Sequence, residues 1–221
     1  MHPLLEGTRL VAFDLDGTLV DSVPDLAAAV DDALRDLDMP VAGEASVRDW
    51  VGNGSMVLIE RALRDALGQD ADAERCREAH ERFLVHYAQR PCRSTRLYPG
   101  VREALEALRG AGMVQVLVTN KPEAFIAPIL AHFELTGYFA LCLGGDSLPR
   151  RKPDPLPLTH AAEWFSVLPS NCLMIGDSRH DIAAGRAAGF RTLAVPYGYN
   201  HGEPVAASGP DGVVESLKEL V

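Results

Sequence analysis

Two carboxylates, Asp14 and Asp16, stand directly after the apolar run of residues 10–13. The length of this run and its bulky side chains are typical of a buried strand, and Gly17 and Thr18 then turn the chain and leave backbone amides free. Alternation along a strand sends Asp14 and Asp16 to the same face, where they share a site only if a cation or a phosphoryl group lies between them. The pattern predicts phosphate chemistry on an aspartate. An acidic turn at a strand end is the alternative.

Further polar side chains stand where ligands of a parallel sheet bind, just beyond the carboxyl ends of strands or in the loop before a helix. They offer hydroxyl and amide donors, one cation and another carboxylate for a metal, and they are Thr119, Asn120, Lys152 and Asp177. Lysine occurs only at positions 121, 152 and 218 in a chain that favours arginine. Lys152 therefore indicates a point charge at a place where a guanidinium group would not fit.

The elements that must position these residues change in character along the chain. Between residues 21 and 92 the pattern predicts helices only, one beginning near Pro24 and others at 44–51, 55–67 and 72–89. From residue 98 onward the pattern alternates, with strands predicted at 113–118, 141–143, 172–175 and 192–195 and helices at 101–109, 123–132, 156–165 and 179–188. Such alternation predicts an α/β fold with a parallel sheet covered on both faces. The helical block is then an insertion between the first strand and the rest of the sheet.

Composition restricts the classes of partner. A chain of 221 residues with 47% hydrophobic and 24% charged residues is typical of a globular protein with one full core and a smaller module. The net charge of −10 and the lack of a basic run predict no nucleic-acid partner. Four cysteines without CxxC spacing, no leader pattern and no run of about 18 apolar residues predict a cytoplasmic protein without a membrane partner.

The motifs together resemble those of the haloacid dehalogenase superfamily. The superfamily motifs are residues 13–18 (FDLDGT), 118–120 (VTN), 152–153 (KP) and 176–181 (GDSRHD). Within this superfamily, six segments resemble those of the phosphoglycolate phosphatases, namely residues 20–26, 50–54, 98–101, 119–122, 144–148 and 197–200. His180 departs from that pattern, which usually has Asn there. The resemblance covers nearly the whole chain and implies a Rossmann-like core at residues 1–20 and 93–221 with a helical cap at residues 21–92.

The resemblance implies a role for each residue of the core motifs. Asp14 is expected to attack phosphorus and Asp16 to act as general acid and base. Mg²⁺ is expected to bind Asp14, the backbone carbonyl of Asp16, and Asp177. Phosphoryl oxygens are expected to contact Thr119 and Lys152 as catalytic groups, and the substrate-binding residues of the core are Gly17, Thr18 and Asn120. Asp181 is expected to orient the metal ligands or to hold Lys152, with a helix N-cap as the alternative.

Substrate choice is assigned to the cap, where the loop Gly52-Asn53-Gly54 could present several backbone amides to a small carboxylate. A glycine-rich turn between two cap helices is the alternative. Arg48 and Arg61 flank the loop and are candidate partners of the carboxylate.

The expected activity is Mg²⁺-dependent hydrolysis of 2-phosphoglycolate through an aspartyl-phosphate. The alternative is a phosphatase of the same superfamily acting on a sugar phosphate or a nucleoside monophosphate. A phosphonate hydrolase would need a cap lysine, and residues 21–92 contain none. The expected partner is thus a small phosphorylated metabolite, and the expected assembly is a monomer or a homodimer.

Overall fold

The computed structural model describes residues 2–221, which form eight β-strands and eight α-helices. The strands are β1 (Leu10–Phe13), β2 (Val20–Asp21), β3 (Arg96–Leu97), β4 (Val114–Val118), β5 (Leu141–Leu143), β6 (Cys172–Gly176), β7 (Arg191–Ala194) and β8 (Gly212–Val213). The helices are α1 (Val23–Arg35), α2 (Gly43–Trp50), α3 (Ser55–Leu67), α4 (Ala73–Gln89), α5 (Val101–Gly110), α6 (Ile126–His132), α7 (Leu156–Trp164) and α8 (Arg179–Ala187).

Six strands form one parallel sheet in the order β5-β4-β1-β6-β7-β8. The first strand of the chain is therefore central, paired with β4 on one side and β6 on the other. Phe13 lies opposite Leu117 of β4 and Ile175 of β6. Because the three strands end at nearly the same level, the residues that follow them meet at one edge of the sheet.

Both faces of the sheet are buried, which explains why β1 is apolar at every position. Val11 and Phe13 pack into one hydrophobic cluster with α5 and α6, whereas Leu10 and Ala12 pack into another with α7 and α8. This arrangement confirms the predicted α/β class with a parallel sheet covered by helices on both faces.

Helices α1 to α4 form a helical insertion, residues 23–89, between β2 and β3. These two short strands pair antiparallel, with Val20 opposite Leu97 and Asp21 opposite Arg96, so the chain enters and leaves the insertion through one narrow ribbon. Apolar side chains of the insertion, such as Phe83, join the cluster that covers one face of the sheet. The domain boundaries at 20/21 and 92/93, and the action of the insertion as a cap, remain predictions.

Asp25 in the first turn of α1 fixes the return of the chain from the insertion. Its buried carboxylate accepts hydrogen bonds from the backbone amides of Ser94 (2.9 Å) and Thr95 (2.8 Å) and from the Thr95 hydroxyl (2.7 Å). The start of the insertion is thereby joined to the segment that leads back to the sheet.

The predicted helices and strands agree with the structure within about one residue at most ends. The helix predicted at 123–132 begins instead with a 3₁₀ turn at Glu123–Phe125, and α6 starts at Ile126. The two-residue strands β2, β3 and β8 were not predicted, because so short a segment has no periodicity. Within residues 2–221, no helix combines the length and the apolar character needed to cross a bilayer.

Candidate active site

Three carboxylates converge beyond the carboxyl ends of the central strands. Asp14 follows β1, Asp177 follows β6, and Asp181 lies in the first turn of α8. One oxygen from each lies within 4.8 Å of the others, and Asp177 and Asp181 are almost completely buried. Gly176 permits this approach, since a Cβ at that position would lie 2.3 Å from Cβ of Asp181.

Lys152 holds two of these carboxylates. Its ammonium donates hydrogen bonds to Oδ1 of Asp181 and to the carbonyl of Val118, both at 2.6 Å, and lies 2.9 Å from Oδ1 of Asp14. Burial opposes the charge of Lys152, but Asp14 and Asp181 outweigh it and raise the pKa of Lys152 above its ordinary value. Lys152 is therefore a buried cation in direct contact with Asp14, as its predicted position suggested.

The cluster has an excess of negative charge, because three carboxylates face one ammonium. Burial, partly opposed by Lys152, raises the pKa of Asp14 to about 6. Burial followed by the charges of Asp14 and Asp181 raises the pKa of Asp177 well above its ordinary value. Among the described residues, no aligned donor reaches Oδ1 of Asp14. An all-oxygen cluster with two uncompensated charges suits a hard divalent cation.

Two predicted substrate-binding residues, Gly17 and Thr18, lie against Asp177. The Thr18 hydroxyl donates to Oδ1 of Asp177 at 2.7 Å, and the backbone amide of Tyr199 donates to Oδ2 at 2.6 Å. A Cβ at Gly17, where φ is 88°, would lie 2.1 Å from Oδ2 of Asp177. In this structure Thr18 thus orients a carboxylate of the cluster, and Gly17 leaves room for that carboxylate.

Asp181 holds Lys152 and also belongs to the N-cap neighbourhood of α8, where Ser178 is the N-cap residue. Its Oδ2 accepts hydrogen bonds from the backbone amide (3.0 Å) and the hydroxyl (2.7 Å) of Ser178 at the start of α8. Its Oδ1 accepts the hydrogen bond from Lys152. The first turn of α8 therefore orients the Asp181 carboxylate, and this carboxylate in turn orients Lys152.

Asp16 has a separate set of partners. The Ser22 hydroxyl donates to Oδ1 of Asp16 at 2.6 Å, and Nζ of Lys121 lies 3.0 and 3.1 Å from its two oxygens. Each carboxylate thus contacts its own lysine, Asp16 with Lys121 and Asp14 with Lys152, and a group shared between the two carboxylates stays a prediction.

The sequence motifs predicted no role for Lys121. The available signal was its position directly after Thr119 and Asn120 at the end of β4, in a chain with only three lysines. Nζ of Lys121 also lies 4.6 Å from the centre of the Tyr87 ring. Tyr87 belongs to α4, so this lysine joins the edge of the sheet to the helical insertion.

A cavity of about 40 Å³ lies between the sheet edge and the insertion. Its polar side consists of Asp14, Asp16, Thr119, Asn120 and Lys121. Its opposite side is mainly apolar and is formed by Leu26, Val51, Leu58, Phe83, Tyr87, Pro122 and Phe125, with Gly52, Gly54 and Ser55 at the border. Three of the four predicted catalytic residues, Asp14, Asp16 and Thr119, therefore line a small space that the insertion borders, whereas Lys152 does not.

The three residues of the predicted substrate-binding loop have different surroundings. Gly52 and Gly54 line the cavity, but Nδ2 of Asn53 lies 2.8 Å from Nε2 of His180. Asn120 also ties the loop to the core, because its Nδ2 donates to the carbonyls of Gly52 (2.9 Å) and Lys152 (3.0 Å). The loop thus both borders the cavity and joins the insertion to the core.

The two arginines that flank this loop are bound elsewhere. Arg48 lies 3.4 Å from Asp21 and 3.1 Å from Glu44. Arg61 donates to the carbonyl of Trp50 at 2.6 Å and to Oδ1 of Asn53 at 3.1 Å. Neither side chain is among those that line the cavity in the described part of the chain.

Residues 8–189 match the model of the haloacid dehalogenase-like hydrolases, and this range contains the carboxylate cluster, Thr119 and both buried lysines. The chain belongs to this family. The family that the motifs resembled is thereby confirmed.

Relatives within the haloacid dehalogenase-like hydrolases extend this similarity to nearly the full chain. The chain is 48% identical over 214 residues to the phosphoglycolate phosphatase of Pseudomonas savastanoi pv. phaseolicola, covering 96% of this chain and 78% of that protein. It is 47% identical over 215 residues to the phosphoglycolate phosphatase of Vibrio parahaemolyticus, covering 96% and 94% of the two chains.

A solved structure agrees with the fold of this haloacid dehalogenase-like hydrolase. The crystal structure of a predicted phosphoglycolate phosphatase from Haemophilus somnus 129PT superposes with a TM-score of 0.93 at 39% sequence identity. The superposition covers 97% of this chain and 96% of the other.

Proposed function

We propose that this hydrolase removes the phosphoryl group of 2-phosphoglycolate through an aspartyl-phosphate on Asp14. The observation that carries the proposal is the contact of buried Asp14 with Lys152, next to a small cavity closed by the helical insertion. The name shared by the relatives at 46–48% identity supports the choice of substrate.

Asp14 supplies the nucleophile in this proposal. Its carboxylate is held by Lys152 at the carboxyl end of the central strand, where it lines the cavity. Attack on phosphorus replaces one difficult displacement by water with two easier steps. Lys152, Thr119 and the backbone amide of Asn120 balance charge on the phosphoryl oxygens.

Asp16 supplies the proton transfer. It lines the same cavity and is oriented by the Ser22 hydroxyl and by Lys121. In the first step it donates a proton to the leaving alkoxide, and in the second it removes one from the water that hydrolyses the aspartyl-phosphate.

The residues fit Mg²⁺, which would bind Asp14, the backbone carbonyl of Asp16, and Asp177. When bound, the ion supplies the positive charge that lets an anionic nucleophile approach an anionic phosphoryl group. Asp181 orients the site indirectly, because it holds Lys152 beside Asp14.

The small cavity favours 2-phosphoglycolate over the larger substrates of the alternative function. A hexose phosphate would force the insertion outward, admit water and weaken electrostatic stabilisation by Lys152. Such discrimination appears in kcat/KM, where a tenfold difference corresponds to about 1.4 kcal/mol.

The test compares hydrolysis of 2-phosphoglycolate, a hexose 6-phosphate and a nucleoside monophosphate by the purified protein with Mg²⁺. We expect kcat/KM for 2-phosphoglycolate to be at least about tenfold higher than for the others. A higher value for either larger substrate would replace this proposal with the alternative phosphatase.

A further inference from the structure

The cavity has one cationic group beside the reacting carboxylates. Among the described residues that line it, Lys121 is the only lysine or arginine. The donors of Lys152 are directed to Val118, Asp181 and Asp14, and Lys152 is not among the residues that line the cavity. A second anionic group of a substrate would therefore meet Lys121.

The surroundings of Lys121 favour a cation in this position. The residue is only 5% exposed, and its ammonium lies 3.0 and 3.1 Å from the two carboxylate oxygens of Asp16. The face of the Tyr87 ring, 4.6 Å from Nζ, favours a cation as well.

Lys121 also has binding capacity beyond Asp16. An ammonium carries three N–H donors, and Asp16 accepts through two oxygens at 3.0 and 3.1 Å. Tyr87 also lines the cavity, and its buried hydroxyl lies beside the Lys121 ammonium without an aligned hydrogen-bond partner in the described chain. A lysine donor and a tyrosine hydroxyl beside apolar walls suit a small carboxylate.

We propose that Lys121 is the specificity-determining residue of this site and that its ammonium binds the carboxylate of the substrate. This inference rests on the proposed function, because it identifies the group that distinguishes a carboxylated phosphate monoester from other small monoesters. It replaces Arg48 and Arg61 as candidate partners of the carboxylate, because those side chains are bound outside the cavity.

The experiment pairs two substrates with three variants. The substrates are 2-phosphoglycolate and 2-hydroxyethyl phosphate, which have the same two-carbon frame but differ in the carboxylate. The variants are Lys121→Met, Lys121→Arg and the control Lys218→Met, which removes an exposed lysine paired with Glu103. The measured quantity is the ratio of the two kcat/KM values for each protein. This ratio does not depend on how much of a sample is folded.

We expect the wild-type protein and Lys218→Met to share one ratio in favour of the carboxylate. Lys121→Met should lower that ratio by about 10- to 100-fold, the range of one charge-assisted hydrogen bond. Lys121→Arg should retain part of the preference, because it keeps the charge but changes the donor geometry.

Equal losses on both substrates in Lys121→Met would overturn the inference and show that Lys121 only positions Asp16. A wild-type ratio near one would overturn it too. The proposed function fails by a different result, namely faster hydrolysis of a larger metabolite than of 2-phosphoglycolate by the wild-type protein.

Discussion

Asp14 and Asp16 stand two positions apart in the chain and yet have different surroundings. Asp14 contacts Lys152 within the carboxylate cluster, whereas Asp16 contacts Lys121 and Ser22. Two carboxyl groups with separate partners can perform separate chemical roles. The environment therefore supports one nucleophile and one proton-transfer group.

Substitution of these residues should separate the two roles. Asp14→Asn should reduce kcat by about 10⁴-fold or more on every substrate, because no carboxylate remains to attack phosphorus. Asp16→Asn should reduce kcat for 2-phosphoglycolate by about 10²- to 10⁴-fold. The second loss should be much smaller for an aryl phosphate, whose leaving group needs little protonation.

Steady-state hydrolysis of both substrates by the two variants checks this prediction. Full activity in Asp14→Asn would refute the aspartyl-phosphate. Equal losses on the alkyl and aryl substrates in Asp16→Asn would remove Asp16 from the proton transfer.

At the scale of elements, the loop between α2 and α3 contacts the core at Gly54, a position whose backbone angles favour glycine. Gly54 has φ 90° and ψ 162°, a backbone conformation that essentially only glycine adopts. A Cβ there would lie 3.2 Å from Nη1 of Arg151 and 3.3 Å from the carbonyl of Asn120. The loop therefore packs so closely against the core that an added Cβ would require its neighbours to shift by a few tenths of an ångström.

Gly54→Ala should lower kcat/KM for 2-phosphoglycolate by about tenfold, since the strained φ and the tight contact with Asn120 shift the loop at the border of the cavity. Gly68→Ala is the matched control, because Gly68 also has a positive φ, 70°, in the insertion but has no atom within 4 Å of the added Cβ. Both variants should lose stability in thermal unfolding, and only Gly54→Ala should lose catalytic efficiency. Similar kinetic losses in the two would show that the loop acts through stability alone.

The strands and helices differ from the contacts between them in how far the sequence predicts them. Buried strands such as β1 were predictable as short continuous apolar runs followed by turn residues, and amphipathic helices such as α3 were predictable from the helical period of their buried face. Asp14, Lys152 and Asp177 were predictable as neighbours because parallel strands end at one edge. The contact of Asn53 with His180 was not, because it depends on how the insertion meets the core. The contact of Lys121 with Asp16 was not predicted either, although both residues follow neighbouring strands.

At the scale of the whole molecule, the carboxylate cluster makes stability depend on pH in the metal-free protein. The pKa of Asp14 is about 6 in the folded chain, against an ordinary value of 3.8. The folded state then binds the Asp14 proton more tightly than the unfolded state does. This contribution to stability is present below about pH 4 and is lost as the pH rises through about 6.

The variant Asp14→Asn cannot lose that contribution, because an amide does not titrate. With a chelator present, we expect the free energy of unfolding of the variant to rise relative to the wild type between about pH 4 and 7. Urea unfolding at several pH values measures this difference. A constant difference would contradict the raised pKa of Asp14, and added Mg²⁺ should favour the wild type, which keeps the full ligand set.

The central position of β1 has a consequence for biosynthesis. This strand leaves the ribosome early, but its partner β6 follows about 160 residues later, with β4 between them. At about 5–20 residues per second, the first strand waits on the order of 10–30 s for its second neighbour. Asp14 and Asp16 are therefore synthesised long before Lys152 and Asp177, so we expect a nascent chain to remain inactive until nearly all of it has been translated.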